Sequence, residues 1–390
     1  MVGGRKPVAT TAQSAPTGAF ILRDEIETPA LIVDLDIFER NLDEMAQICR
    51  EAGVALTPHA KTHRTVEFGR LQLAHGASGL TVAKLGEAEA FAAAGVERLV
   101  VAYPLIGPDK VGRALALARG CDLTVATDSV EGARTFSDKF VQAGQQIKLY
   151  LIVDSGFHRV GVAPGDVASV AAEIAELPAV VLSGVMTHEG SVYEAASSDE
   201  LVQRSLAAAR LMLDAAAAAR SKVEGPLLVS MGASASVRVV ARVPGIGEVR
   251  PGIFAFNDLG QIALGTATLD SCAVRVISTV VSNPEPGRAC IDAGSKTLSQ
   301  DRLPEAGKKR YPGHGLLVDR PGWYIERLSE EHGWLRWRGD GPPPALQLAT
   351  KLQIVPNHVC TVFSSLGESV ALRQGAVIGR WRTIGPGASR

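Results

Sequence analysis

The chain has 390 residues, 46% of them hydrophobic and 21% charged, enough for a sizeable core and more naturally two domains than one. Forty basic side chains stand against 41 acidic ones, so no charge excess recommends nucleic acid or an anionic membrane as a partner, and a small-molecule substrate is the better expectation. The five cysteines are widely spread and have no CxxC spacing, which argues against a disulfide framework or zinc-finger cluster and suits a cytoplasmic protein.

Residues 1–20 are rich in Ala, Thr, Ser and Pro and hold no apolar run like a signal-peptide core, so they read as a flexible tail. Nowhere are there the ~20 uninterrupted apolar residues that a membrane span needs. An early strand over Ala30–Asp36 could belong to either of two units. From Val54 to Asn257, short β-branched runs alternate with Ala-rich segments of helical period. The strand candidates are Val54–Lys61, Gly79–Lys84, Arg98–Pro104, Asp122–Thr127, Lys148–Asp154, Val180–His188, Pro226–Met231 and Gly247–Phe256. Between them, Leu85–Ala94, Asp109–Arg119 and Asp199–Ala219 have the spacing of an outer helical ring. This predicts an α/β fold, a (β/α)8 TIM-type barrel over residues 30–265. After Gly265 the chain reads as strands without helices (Ala273–Ser282, Arg288–Ala293, Gly333–Arg338, Lys351–Val355), an all-β C-terminal domain over residues 266–390 with some N-terminal residues.

In such a barrel, reactive groups collect at the C-terminal ends of the strands. The run Val54–Leu56 leads into Thr57-Pro58-His59-Ala60-Lys61-Thr62-His63. A lysine buried there would have its pKa lowered by desolvation, as a Schiff-base amine requires. The local sequence alone fits a snorkelling surface lysine equally well. Other strands end in Asp154-Ser155-Gly156-Phe157-His158-Arg159, Thr187-His188-Glu189-Gly190 and Gly232-Ala233-Ser234-Ala235-Ser236. The last offers free backbone N–H groups as a phosphate cradle at a helix N-terminus, and Arg159 or His188 could contact a cofactor ring. Singly, such a turn can also be a plain connection, and a lone Asp–Arg pair a structural salt bridge. In the second domain, Pro356-Asn357-His358-Val359-Cys360 ends a strand-like run. If it is extended, His358 and Cys360 share one face and could grip a metal ion; the pair also reads as a packed core histidine beside a buried cysteine.

At these residues the chain resembles the D-threonine aldolase and D-serine dehydratase family, relatives of the alanine racemases. The resemblance runs in order through Thr28-Pro29-Ala30, Pro58-His59-Ala60-Lys61-Thr62-His63, Ala83-Lys84-Leu85-Gly86-Glu87, Arg250-Pro251-Gly252, Asn257-Asp258, Asp292-Ala293-Gly294-Ser295-Lys296 and Glu330-Glu331-His332-Gly333. It ends at Pro356-Asn357-His358-Val359-Cys360. It implies that Lys61 carries pyridoxal 5'-phosphate as a Schiff base and that the Gly232, Ala233 and Ser234 turn binds the phosphate. Arg159 and His188 would lie near the ring, and His358 and Cys360 would hold a divalent metal, zinc or manganese. It also implies a homodimer in which one subunit's β-domain closes the other's site.

A D-β-hydroxy-α-amino acid would displace Lys61 from the cofactor, whose ring is an electron sink for a carbanion at Cα. Loss of the β-hydroxyl proton with metal assistance opens Cα–Cβ and gives glycine and an aldehyde. If Lys61 instead removes the Cα proton and hydroxide departs, an enamine forms, and its hydrolysis by water gives a 2-oxo acid and ammonia. Retro-aldol cleavage ranks first and elimination is the alternative, although the resemblance implies a lean towards dehydration, since the family's dehydratases tend to have a cysteine and its aldolases an aspartate at the position of Cys360, and a thiolate favours zinc. Thr187-His188-Glu189-Gly190 and Phe254 depart from the family's pattern and leave the substrate side chain open. A racemase would have no use for His358 and Cys360, and a non-catalytic cofactor carrier would resemble the barrel alone. His63, His314 and His332 are further pocket candidates with no assigned proton transfer.

Overall fold

The structure, a computed structural model, describes residues 26–385; the tail expected over residues 1–20 lies outside the described residues. Its strands are β1 (Ala30–Asp34), β2 (Ala55–Leu56), β3 (Leu80–Val82), β4 (Arg98–Pro104), β5 (Asp122–Thr127), β6 (Ile147–Ile152), β7 (Val180–Met186), β8 (Leu228–Met231) and β9 (Glu248–Val249). They continue with β10 (Val274–Glu285), β11 (Arg288–Ile291), β12 (Leu316–Leu317), β13 (Trp323–Leu328), β14 (Gly333–Trp337), β15 (Lys351–Val355), β16 (Glu368–Arg373) and β17 (Ala376–Arg382).

Strands β2 to β9 form one parallel sheet of eight in the order β2-β9-β8-β7-β6-β5-β4-β3. Its ends meet where Thr81 N donates to Pro58 O (2.8 Å) and His59 bridges Thr81. This is the expected barrel. Strands buried on both faces read as continuous apolar runs, as in Leu99–Val101 and Leu149–Ile152. The ring helices start at side-chain caps where the sequence supplies them: Ser129 Oγ accepts from Gly132 N (3.1 Å) and Ser197 Oγ from Glu200 N (3.1 Å). Among the described residues, no helix is long and apolar enough to cross a membrane.

The second sheet has nine strands, with β13-β14-β11-β10-β1-β16-β17 as its main path and β15 pairing with β10 and β12. Strand β1, left open by the sequence, joins this sheet. It runs antiparallel to β10 and parallel to β16, and the helix Leu35–Ala52 then carries the chain into the barrel. Phe38 on that helix packs with Phe68 and Phe256 from the barrel side, and both of these meet Phe363 from the chain between β15 and β16. Trp381 on β17 closes on Phe68 at 4.7 Å between ring centroids. One aromatic cluster thus fixes the barrel against the second sheet.

Three expectations need correction. The strand proposed over Val54–Lys61 ends at Leu56, because Pro58 has no N–H for a ladder and the chain then tightens into a 3₁₀ turn over Ala60–Thr62. The strand proposed over Gly247–Phe256 is only Glu248–Val249; a second 3₁₀ turn, Ile253–Ala255, follows Pro251-Gly252. The region after Gly265 does contain helices, at Ser295–Leu298, Glu305–Arg310 and Val359–Leu366.

Candidate active site

The barrel interior is apolar in its middle layer, where Val100, Ala126, Tyr150, Ile152 and Met186 pack together, and polar towards one end. Buried Glu248 accepts from Arg98 (2.8 Å) and from Ser230 Oγ (2.7 Å). Ser230 Oγ in turn accepts from Arg250 Nε (2.7 Å), and a second nitrogen of Arg250 donates to Thr187 O (2.6 Å). This chain of bonds fixes a fully buried guanidinium beneath the strand ends. The side-chain network satisfies its donors while burial works against its charge.

Above it lies a cleft of about 900 Å³ between the barrel's strand ends and the second sheet. It gathers Lys61, Arg159, His188, Gly232, Ser234, His358 and Cys360, residues far apart in sequence. Ala233 is buried behind the wall. The 3₁₀ turn that replaces the end of the expected strand delivers Lys61 into the cleft. Burial lowers the Lys61 pKa; the negative end of Cys360 opposes this, while the charges of Arg159 and Arg250 reinforce it. Lys61 is therefore biased towards the neutral amine that a carbonyl-reactive lysine needs. His188 is held neutral by burial and by Lys61, Arg159 and Arg250, with a pKa lowered to about 3. Its Nδ1 lies 3.4 Å from Gly232 O, leaving the other ring nitrogen without that partner. His59 also lines the cleft and is pushed well below the ordinary imidazole range, first by burial and then by Lys61. Arg159 stands on an exposed loop, with its guanidinium 5.2 Å from the Phe157 ring centroid.

The anion cradle takes a different form from the one expected. The amides of Gly232 (2.9 Å) and Ala233 (3.1 Å) donate to the buried carboxylate of Glu189, which also accepts from Ser236 Oγ (2.5 Å). An internal anion therefore occupies the two N–H groups that the sequence offered to a phosphate. Beside them, Ser234 Oγ accepts from Gly252 N (3.0 Å) and Ile253 N (2.9 Å), and Ser234 N donates to the Tyr193 hydroxyl (3.1 Å). Tyr193, Ser234, Gly252 and Ile253 all line the cleft. Gly252 is required there, since a Cβ would sit 2.5 Å from Thr62 Oγ1. This second set of small and hydroxyl groups, unlike buried Ala233, faces the cleft.

His358 and Cys360 come together, but not on a strand. His358 is the N-cap of the helix Val359–Leu366, and buried Asp258 accepts from Val359 N (3.1 Å), so Cys360 lies within the first helical turn. The His358 side chain meets both Cys360 and Asp301, with its Nδ1 2.8 Å from Asp301 Oδ2. Burial opposes a charge on His358, but Cys360, Asp258 and Asp301 outweigh it and lift its pKa to about 10. Cys360 Sγ lies 3.5 Å from Thr62 Oγ1, next to Lys61 in the chain. Imidazole and thiol are thus adjacent, at hydrogen-bonding range, in the cleft that holds Lys61. This donor set suits zinc or another divalent ion of intermediate softness. Among the described residues no group of three His, Cys, Asp or Glu side chains is arranged to hold a metal, so the pair would leave positions for water or substrate.

Of the three further histidines, His63 is sealed in the aromatic cluster between Phe68 and Phe256, His314 is buried outside the cleft lining, and His332 is exposed. Sequence reasoning gave no role to Arg250, Glu189, Tyr193, Asp258 or Asp301. Arg250 stood within a family motif and Glu189 beside His188, but nothing in the sequence pointed to Asp301.

The family model "Alanine racemase, N-terminal domain" matches residues 33–259, and a serine dehydratase domain matches residues 273–372. The chain is 33% identical over 373 residues to the D-threo-3-hydroxyaspartate dehydratase of Delftia sp. (strain HT23), covering 92% of this chain and 97% of that one. It is 30% identical over 368 residues to the D-threonine aldolase of Arthrobacter sp., covering 94% of each. A solved structure of a D-threo-3-hydroxyaspartate dehydratase variant in its metal-free form superposes with a TM-score of 0.85 at 32% identity, over 93% of this chain and 98% of that one.

Proposed function

The chain belongs to the family of the alanine racemase N-terminal domain, here joined to a serine dehydratase domain, and from that premise we propose that it is a pyridoxal-phosphate- and divalent-metal-dependent lyase acting on D-β-hydroxy-α-amino acids. One observation carries the reading: a desolvated lysine, Lys61, and an imidazole–thiol pair, His358 and Cys360, face a single cleft although they lie almost 300 positions apart. The dehydratase and aldolase relatives support the substrate class, and the relative's metal-free form supports a metal.

Lys61 Nζ would be the attachment point for the cofactor. Tyr193, Ser234, Gly252 and Ile253 would hold its phosphate, and Arg250, anchored through Ser230 and Thr187, would support its ring from beneath. When bound, the cofactor supplies an electron sink for charge at Cα, and the metal supplies Lewis acidity for the β-hydroxyl. The protein's own contribution is positioning and proton transfer. Arg159 offers a cation to the substrate carboxylate at the open side of the cleft. Neutral His188 and His59 add no further positive charge beside the amine. Once released, Lys61 Nζ can accept the Cα proton.

Elimination to a 2-oxo acid and ammonia needs a base at Cα, which Lys61 provides, and Cys360 in the donor pair leans the same way. Retro-aldol cleavage, ranked first from the sequence, is the second reading, favoured by the D-threonine aldolase relative. The full chain, with pyridoxal phosphate and zinc or manganese, should be given D-threo-3-hydroxyaspartate and D-threonine in turn. A 2-oxo acid with ammonia establishes elimination, and glycine with an aldehyde establishes cleavage. Neither product from either substrate would overturn the proposed class. A cytoplasmic homodimer is part of this reading; exposed Ile106, Phe157 and Val160 at the barrel's strand ends support a covered mouth, and light scattering tests the dimer.

A further inference from the structure

We propose that Asp301 is a positioning residue for the metal site, holding Nδ1 of His358 so that the opposite nitrogen, Nε2, is presented beside Cys360. The inference rests on His358 and Cys360 being the metal ligands. Asp301 Oδ2 lies 2.8 Å from His358 Nδ1. A carboxylate there takes the Nδ1 proton as a hydrogen bond and leaves the Nε2 lone pair for coordination, which fixes both the tautomer and the ring plane.

The loop that carries Asp301 is itself anchored. Its amide donates to Ser299 Oγ (3.0 Å), and Ser299 is held at a positive φ of 63°. Its carbonyl accepts from Asn357 Nδ2 (2.9 Å), which also donates to Gly313 O (3.0 Å). Asn357 immediately precedes His358, so backbone and side-chain bonds tie the carboxylate and the imidazole to the same frame. Asp301 engages Nδ1, so Nε2 is the nitrogen left for a metal, and among the described residues no three-ligand group forms. Asp301 therefore sits behind the imidazole and does not join the pair as a third ligand.

A plain surface ion pair would look similar, since both side chains are partly exposed, but it would affect stability only slightly and metal affinity not at all. The experiment separates these. Zinc binding to the full chain loaded with pyridoxal phosphate is measured by competition with a chromophoric chelator, for the natural protein and for Asp301→Ala, Asp301→Asn, His358→Ala and Cys360→Ala. Asp301→Ala should weaken zinc binding about 10- to 100-fold. Asp301→Asn, whose amide oxygen still accepts from Nδ1, should recover part of that loss, and both variants should keep the natural melting temperature in chelator. Unchanged zinc affinity in Asp301→Ala, with loss in His358→Ala, overturns the inference while leaving the metal site intact. Complete loss in Asp301→Ala, equal to that of His358→Ala, overturns it in favour of a direct ligand. Unchanged affinity in His358→Ala and Cys360→Ala would show that the underlying metal reading has failed, and the inference with it.

Discussion

The two ends of the cleft are built in opposite ways. Lys61 stands on a single 3₁₀ turn at the end of a barrel strand, over a buried network running from Arg98 through Glu248 and Ser230 to Arg250, with the sealed aromatic cluster directly behind it. His358 and Cys360 stand at the start of an eight-residue helix in the second sheet's domain, partly exposed, and held by the capping carboxylate of Asp258 and the loop carboxylate of Asp301. The lysine end is tuned by removal of water and is part of the fold's core. The imidazole–thiol end is tuned by neighbouring charge and can be changed without touching that core. On the function proposed above, a substrate that needs both an amine and a metal is met by one rigid wall and one adjustable wall.

The largest effect separates chemistry from folding at the rigid wall. Lys61→Ala should lower turnover on the order of 10³-fold or more, yet leave the melting temperature undiminished, because it removes a desolvated amine and no packed apolar group. A large fall in melting temperature would show Lys61 to be structural. Next, Phe256→Ala empties the centre of the cluster that joins the two walls. It should cost about 3–5 kcal/mol in urea unfolding and abolish turnover, because the walls lose their common contact. Retention of turnover would show that the walls are held together elsewhere.

Acid provides a third test, specific to the rigid wall. His63, fully buried next to the Lys61 turn, has its pKa lowered by burial to about 4 from an ordinary 6.5. A group whose folded pKa is depressed stabilises fully above the unfolded value and loses that contribution as pH falls towards the folded value. Stability should therefore drop by about 3 kcal/mol between roughly pH 6.5 and 4 on this account. Unfolding measured across that range should show a shallower slope in His63→Gln; the same slope in both proteins would count against the assignment. The smallest effect is expected at the adjustable wall. His358→Ala without metal breaks a half-exposed pair with Asp301; solvent screening of that pair discounts the raised His358 pKa, and stability should change by under about 1 kcal/mol. A larger loss would make that wall part of the core as well.

The rigid wall was the more legible of the two from sequence. Its strands are apolar runs that alternate with Ala-rich helices, and Lys61 follows one of them after Thr57-Pro58, where a ladder must stop. The residues that hold it were not legible, since Arg250 and Glu248, Ser230, and Thr187 come from the ends of three different strands and meet only when the barrel closes. At the other wall, the pairing of His358 with Cys360 was readable while its geometry was not. The apolar run Val359–Phe363 looks like a continuing strand, but it is a helix whose first N–H is taken by the carboxylate of Asp258, 101 positions earlier. Of the strands not foreseen, β12, β13, β16 and β17, the first is two residues long and Gly379 interrupts the alternation of the last. Glu189 changed the reading of the cradle for a similar reason: the amides at Gly232 and Ala233 were foreseen, but the anion that fills them comes from a neighbouring strand end.

The most direct test of the two-walled site is turnover of D-threo-3-hydroxyaspartate by the full chain at saturating pyridoxal phosphate, measured as zinc is withdrawn stepwise by a chelator and then restored. The account predicts that product formation falls in proportion to bound zinc and returns with it, while the cofactor stays reducible by borohydride onto the peptide containing Lys61 throughout. Full turnover by metal-stripped protein, or cofactor fixed to another lysine, would contradict it.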